Sequence, residues 1–188
     1  KSMSIKISNQ EFINAIFHGI DKESFVWAMS FDMTVEEAKK DENKAVWAGK
    51  AGNGLTLPSL SEKGNTYFVI SSLKGTRKRK KDNFSALHVI VLDDIGSKVH
   101  LPDGLEPSYM LETSKGNFQA GLILETPLTD LQKADDIYKQ LGQRGFNDPG
   151  LGGPSTRYVR LPVGRNTKEK YGPDGFEHQL RTWNADKR

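Results

Sequence analysis

The longest apolar stretch, Phe84 to Leu92, ends abruptly in Asp93-Asp94-Ile95-Gly96-Ser97-Lys98. It has no polar face and is short for a helix, so it predicts a central strand covered on both sides. The rest of the pattern can be placed around it. Ser8 with Glu11 is a capping box ahead of a stripe of Phe12, Ile13, Ile16 and Phe17, predicting a helix from residue 8 to about residue 17. Phe25 to Phe31 alternates large apolar with small residues, as a strand does. Thr34 with Glu37 starts a short polar helix to about Lys40, and residues 49–64, rich in glycine, predict a loop. Asn65 to Leu73 alternates again. Residues 108–114 and 118–125 predict two strands around the tight turn Lys115-Gly116-Asn117. Thr129 with Gln132 predicts the start of a helix facing inward through Leu131, Ala134, Ile137, Tyr138 and Leu141, ended by Gly142 or Gly145. Residues 147–155 are a loop, 157–162 a short strand, 164–168 a polar turn and 176–183 an edge strand. Strands outnumber helices and no repeat is present. The pattern therefore predicts an α+β domain with a mixed or antiparallel sheet and flanking helices.

A chain of 188 residues is the size of one domain, taken as 1–188. It has no cysteine, which excludes disulfides and thiolate metal sites. No apolar run approaches the roughly 20 residues that span a bilayer, so no membrane partner is expected. Lys1 and Ser2 read as residues added ahead of Met3, and the first residues carry no signal-peptide apolar core. The net charge of +3 is compatible with a polyanionic partner but is too small to argue for one.

Charge placement is more informative. Arg77-Lys78-Arg79-Lys80-Lys81 lies between two predicted strands. It is either a solvated loop or a contact for nucleic-acid phosphate held near a site. Asp93 and Asp94 end a buried strand, where carboxylates are costly unless paired, solvated or bound to a cation. They form either a divalent-metal site or an Asp-rich turn. On a regular strand adjacent residues face opposite sides, so the pair can share one ion only if the chain bends or another carboxylate joins. Glu112 and Asp148 are the candidates, the alternatives being a hairpin-face charge and a turn residue before Pro149. Arg157 and Arg160 offer planar forks for phosphate, or salt bridges on an edge strand. The four histidines show no metal-ligand spacing, and His88, inside the central strand, reads as a hydrogen-bonded core residue. No nucleophile elbow, phosphate loop or dinucleotide fingerprint is present.

The order of these stretches resembles a known family. Leu92-Asp93-Asp94 is followed by Glu112-Thr113-Ser114-Lys115-Gly116-Asn117-Phe118-Gln119, then Asp148, then Arg157-Tyr158-Val159-Arg160-Leu161-Pro162, then Asn166 and Lys168. Over about residues 45–170 this is similar to the RepB-family primase domains of phages and plasmids, in the archaeo-eukaryotic primase (primase-polymerase) superfamily. The resemblance implies an RRM-like catalytic sheet and template-directed nucleotidyl transfer with Mg²⁺ or Mn²⁺. It implies metal-binding and catalytic roles for Asp93 and Asp94 and a further catalytic acid at Asp148; Glu112, the candidate from the strand geometry, completes the expected metal ligands. It implies nucleotide or phosphate contacts at Ser114, Lys115, Asn117, Gln119, Arg157, Arg160, Asn166 and Lys168. DNA contacts fall to Arg77, Lys78, Arg79, Lys80 and Lys81. Gln119 stands where the family carries a histidine, and the two aspartates are adjacent where the family alternates them. Implied partners are a single-stranded DNA template, nucleoside triphosphates and a helicase domain, fused in a longer chain or acting in trans, in the cytoplasm of a bacterial host. A single-stranded-DNA- or nucleotide-binding module of the same fold without polymerase activity is the alternative, and a metal-dependent nuclease a more distant one.

Overall fold

The computed structural model describes residues 3–188, so the reading of Lys1 and Ser2 lies outside the described residues. Helix α1 (Asn9–Ile16) starts as its capping box predicts. Ser8 Oγ accepts from the Glu11 N–H at 3.0 Å, and Glu11 Oε1 accepts from the Ser8 N–H at 3.3 Å. The helix buries Phe12, Ile13 and Ile16, with Phe17 just beyond it, and truncating a ring such as Phe12 to Ala costs about 3–5 kcal/mol in such a position. α2 (Val35–Ala38) is capped by Thr34. α3 (Leu131–Gln143) begins one residue later than predicted, because the Asp130 side chain accepts from Lys133 N–H at 3.2 Å and takes the capping role read for Thr129.

Among the described residues the strands, in chain order, are eleven: β1 (Trp27–Phe31), β2 (Lys50–Ala51), β3 (Asn65–Val69), β4 (Ser71–Leu73), β5 (Phe84–Ile95), β6 (Tyr109–Ser114), β7 (Asn117–Leu128), β8 (Tyr158–Arg160), β9 (Arg165–Asn166), β10 (Phe176–Glu177) and β11 (Gln179–Trp183). They form a five-stranded sheet, β11-β6-β7-β5-β4, a four-stranded sheet, β2-β1-β3-β8, and the β9–β10 pair. All strand pairings are antiparallel. β7 is the middle strand of the larger sheet, and β5, expected to be central, lies next to the edge, where the short β4 pairs with only its first residues; it is still buried on both faces, as its apolar run predicts.

Along the chain, a single residue separates β3 of one large sheet from β4 of the other. Ile70, between β3 and β4, donates its N–H to the Arg157 carbonyl at 3.3 Å and accepts from the His88 N–H through its own carbonyl at 3.1 Å. One half of its peptide hydrogen bonding thus serves each sheet. One core fills the space between them, joining α1, α3 and side chains of both sheets, including Phe68, Ile70, Val89, Val91, Tyr109 and Val159. Gly121 faces Tyr109 across β6–β7, and an added Cβ there would run into the Tyr109 ring, so only glycine fits. The opposite face of the β1-β3-β8 sheet is partly covered by residues 33–48, and what remains open forms a wall of the candidate site.

Candidate active site

A cleft of about 690 Å³ lies where the ends of β5, β6 and β7 meet the face of β3 and β8. Asp93 and Asp94 both line it. Backbone geometry explains how adjacent residues share one cleft. The β5–β7 register shifts between Leu92 and Ile95, and Asp94 has φ 54°, in the left-handed region. The strand therefore does not continue its alternation. Asp93 donates its N–H to the Phe146 carbonyl at 2.8 Å, outside the β7 ladder, and the Asp94 N–H donates to Asp93 Oδ1 at 3.0 Å. Burial pushes the Asp93 carboxyl above the usual carboxylate range, and the charge of Asp94 pushes it the same way. The Asp94 N–H, the Gln119 side chain and the Arg160 charge pull in the other direction without cancelling the effect. Lys98 approaches Asp94 Oδ2 at 3.6 Å, but the lysine is exposed and such a contact contributes little.

Arg160 enters the same cleft from β8. Its backbone N–H donates to Gln119 Oε1 at 3.0 Å, and its Nη1 donates to Asn65 Oδ1 at 3.0 Å. Nη1 also lies 3.3 Å from His178 Nε2, while His178 Nδ1 is 2.8 Å from the Leu161 carbonyl. That pattern assigns the proton to Nδ1 and leaves Nε2 as an acceptor. The guanidinium sits over the Tyr67 ring at 4.7 Å. Among the described residues no carboxylate forms a salt bridge with Arg160.

Arg79 reaches the cleft from the basic loop. Its guanidinium covers the Tyr158 ring at 4.3 Å and donates to the carbonyls of Thr156 at 2.7 Å and Trp47 at 3.3 Å. The neighbours of Arg79 in that loop do other things. Arg77 donates to the Gly52 carbonyl at 2.8 Å and covers Phe25, Lys81 pairs with Asp135 at 3.2 Å, and Lys78 and Lys80 extend from the loop.

Ser114, Asn117, Asn166, Lys168 and Asp148 also line the cleft. Asn166 is pinned through Nδ2 to the Thr113 carbonyl at 3.0 Å, and Asp148 Oδ1 caps the following turn by accepting from Gly150 N–H at 2.8 Å. Besides the other residues of the basic loop, three further predicted residues stand elsewhere. Glu112, expected beside the aspartates as a ligand, instead pairs with Arg181 at 2.9 Å and accepts from Gly116 N–H at 2.9 Å, closing the β6–β7 turn and tying in β11. Lys115 is exposed on that turn. Arg157 points to the loop behind Asp148, donating to the carbonyls of Asp148 at 3.0 Å and Gly152 at 2.6 Å over the Tyr138 ring. Among the described residues no group of three His, Asp or Glu side chains is placed to hold an ion, so the expected third carboxylate does not join Asp93 and Asp94.

The pattern missed Asn65, Trp47, Tyr67, Tyr158 and His178. Tyr67 and Tyr158 sit on ordinary alternating strands, and nothing in their spacing distinguishes a cleft face from a core face. His178 stands alone in the tail and meets Arg160 only through the fold.

The model of the RepB DNA-primase N-terminal domain matches residues 36–188. The chain belongs to that family. The fold is that of the archaeo-eukaryotic primases: the primase-polymerase domain of cyanophage S-2L superposes with a TM-score of 0.55 at 14% identity, over 94% of this chain and 91% of that one. The catalytic domain of primase RepB′ in complex with initiator DNA gives a TM-score of 0.48 at 18% identity, over 94% of this chain and 86% of that one. No curated protein matches significantly. Among the described residues of this RepB-type domain no helix is long and apolar enough to cross a membrane.

The donor chemistry of the primase cleft suits a hard divalent cation. Mg²⁺ is held by one or two carboxylates and otherwise by water and substrate phosphates. Asp93 and Asp94 supply two such groups on one turn, and the Asp93 carboxyl, raised first by burial and then by the Asp94 charge, is one whose ionised form a cation would favour.

Proposed function

We propose that this cleft joins nucleotides on a single-stranded DNA template, synthesising primers for the replication of a phage, plasmid or similar mobile element. The observation that carries the reading is the joint placement of Asp93, Asp94 and Arg160 in one cleft, with the arginine free of any carboxylate salt bridge among the described residues. Phosphoryl transfer calls for little covalent chemistry from the protein, mainly positioning and charge stabilisation.

Asp93 and Asp94 would hold Mg²⁺ or Mn²⁺, which when bound neutralises charge on the phosphates and favours ionisation of the attacking hydroxyl. The Arg160 guanidinium, fixed in direction by Asn65 and Tyr67, orients the triphosphate. Asn166 and Lys168 extend that polar wall, and Ser114 and Asn117 add to it. Asp148 adds a third negative group at the edge, on a loop held by Arg157. Lys78 and Lys80 offer the template strand two phosphate contacts. Nucleoside triphosphates are the substrates of this reading, in the cytoplasm of a bacterial host, with a helicase, fused or separate, as the partner that opens the duplex.

A second reading, a nucleotide- or DNA-binding module of the same fold without synthesis, draws support from Glu112. Its engagement with Arg181 leaves the aspartates without the expected third ligand.

Calorimetric Mn²⁺ titration and primer synthesis on a single-stranded template, for the wild type, Asp93→Asn and Asp94→Asn, test the proposal. Expected are Mn²⁺ binding and synthesis by the wild type. Each variant should lose synthesis and at least about tenfold in Mn²⁺ affinity, since each removes a charged ligand. The raised Asp93 carboxyl makes its ionised form a cost to the folded state at neutral pH, so the metal-free Asp93→Asn protein should melt no lower than wild type. A wild type that binds nucleotide and DNA but makes nothing replaces the proposal with the binding-module reading.

A further inference from the structure

Gln119 occupies a junction that its sequence position does not announce. It stands on β7 with 8% of its surface exposed, opposite Leu111 of β6. Its Oε1 accepts the Arg160 backbone N–H at 3.0 Å. That bond fixes the orientation of the amide, because a backbone N–H can only face the oxygen. The donor end is therefore Nε2. The β5–β7 register, with Leu92 opposite Ala120, sets Gln119 beside Asp93, and both line the same cleft; the Gln119 side chain lowers the Asp93 carboxyl against the effect of its burial. One neutral amide, bonded to the backbone of β8, so stands beside the acid at the end of β5, at the boundary between the two sheets. Beyond Arg160 the chain of contacts continues to Asn65 and Tyr67, so the acid and the guanidinium are held in one frame.

We propose that Gln119 is a positioning residue, which orients the Asp93 carboxylate for a divalent cation through the Arg160 backbone and makes no contact of its own with nucleotide phosphate. With its oxygen committed to the Arg160 N–H and its Nε2 beside Asp93, the amide offers a nucleotide phosphate no charge. A hydrogen bond to a ligating carboxylate sets the direction of its oxygens, and losing such a supporting partner typically costs about 10–100-fold in metal affinity or activity. The inference rests on the reading that Asp93 holds the cation.

The test uses the full chain with Gln119→Met, which keeps length and volume but removes the amide. Gln119→Asn keeps the amide one methylene short of reaching both partners. Mn²⁺ alone is titrated into nucleotide-free protein, and kcat and nucleotide KM are then measured at saturating Mn²⁺. The expected result is Mn²⁺ affinity weakened by about tenfold or more in Gln119→Met and by less in Gln119→Asn, with nucleotide KM within about twofold of wild type. Unchanged Mn²⁺ affinity with a raised nucleotide KM overturns the proposal and makes Gln119 a phosphate contact. Should Gln119→Met fail to fold, Gln119→Asn decides by the same two readouts. A wild type that takes up no Mn²⁺ overturns the metal reading itself, and this inference with it. That outcome is distinct from a wild type and a variant that bind equally well, which removes only the role of Gln119.

Discussion

Arg157 donates from Nη2 to the carbonyl of Asp148 at 3.0 Å, so it holds the loop that brings an acid to the cleft and does not enter the cleft itself. Arg160, three residues along, lines the cleft. An offset of three on a strand places two side chains on opposite faces, and here the two faces serve different ends. Burial lowers the basicity of Arg157, whose charge is met by two carbonyls and the Tyr138 ring and by no salt bridge among the described residues.

Replacing each arginine by lysine separates the two roles, because lysine keeps the charge and loses the fork. Arg157→Lys should lower stability by about 1–3 kcal/mol, the cost of unpairing buried polar groups, and change nucleotide affinity little. Arg160→Lys should weaken nucleotide binding by about tenfold, the effect of removing one good charge-assisted hydrogen bond. Urea unfolding and titration with a fluorescent nucleotide measure the two effects. Equal losses of nucleotide affinity in both variants would contradict the division.

The basic loop divides in the same way. Lys78→Gln with Lys80→Gln should weaken binding of a single-stranded oligonucleotide and lower the slope of log affinity against log salt by up to about 1.4, or roughly 0.7 for each phosphate left without its lysine. Melting temperature should not move, because neither lysine side chain ties the loop to the sheets. Arg79→Gln should lower it instead, since that guanidinium ties residues 47 and 156 together over Tyr158. A salt slope unaffected by the lysine pair would show that those residues are only solvated.

Two buried histidines predict an acid-sensitive fold. Burial holds both His88 and His178 down at about 3, and the neighbouring Arg160 charge works in the same direction on His178. Unfolded, each titrates near about 6.5, so between that pH and about 3 the unfolded chain binds more protons than the native one. Stability is then full above about pH 6.5 and falls as the pH drops, by up to about 1.4 kcal/mol per pH unit for each histidine. Urea unfolding at about pH 7 and about pH 5 reads the slope. His88→Gln, which removes one proton site, should reduce it by about half. An undiminished slope would assign the acid sensitivity to other groups.

The sequence alone determined the elements whose causes are local. The capping box at Ser8 and Glu11 starts α1, Lys115-Gly116-Asn117 closes the β6–β7 hairpin, and the apolar run of β5 makes a strand covered on both faces, though its place next to the sheet edge was not legible. Hydrogen bonds over three residues and side-chain periodicity are written in neighbouring positions, so they can be read without the fold. The order of acidic and basic stretches was enough to point to the RepB primase family.

Tertiary structure decided which of those residues meet. Asp93 and Asp94 face one cleft because β5 breaks its ladder with β7 at a left-handed Asp94, a choice that depends on the partner strand and on the Phe146 carbonyl. Glu112 leaves the predicted ligand set because β11, far along the chain, brings Arg181 against it. The Arg160 site depends on Asn65, Gln119 and His178 arriving from three other strands or their ends. A carboxylate or guanidinium takes the partner that desolvation and geometry make available, and that partner is set by the pairing of distant segments rather than by the residues on either side.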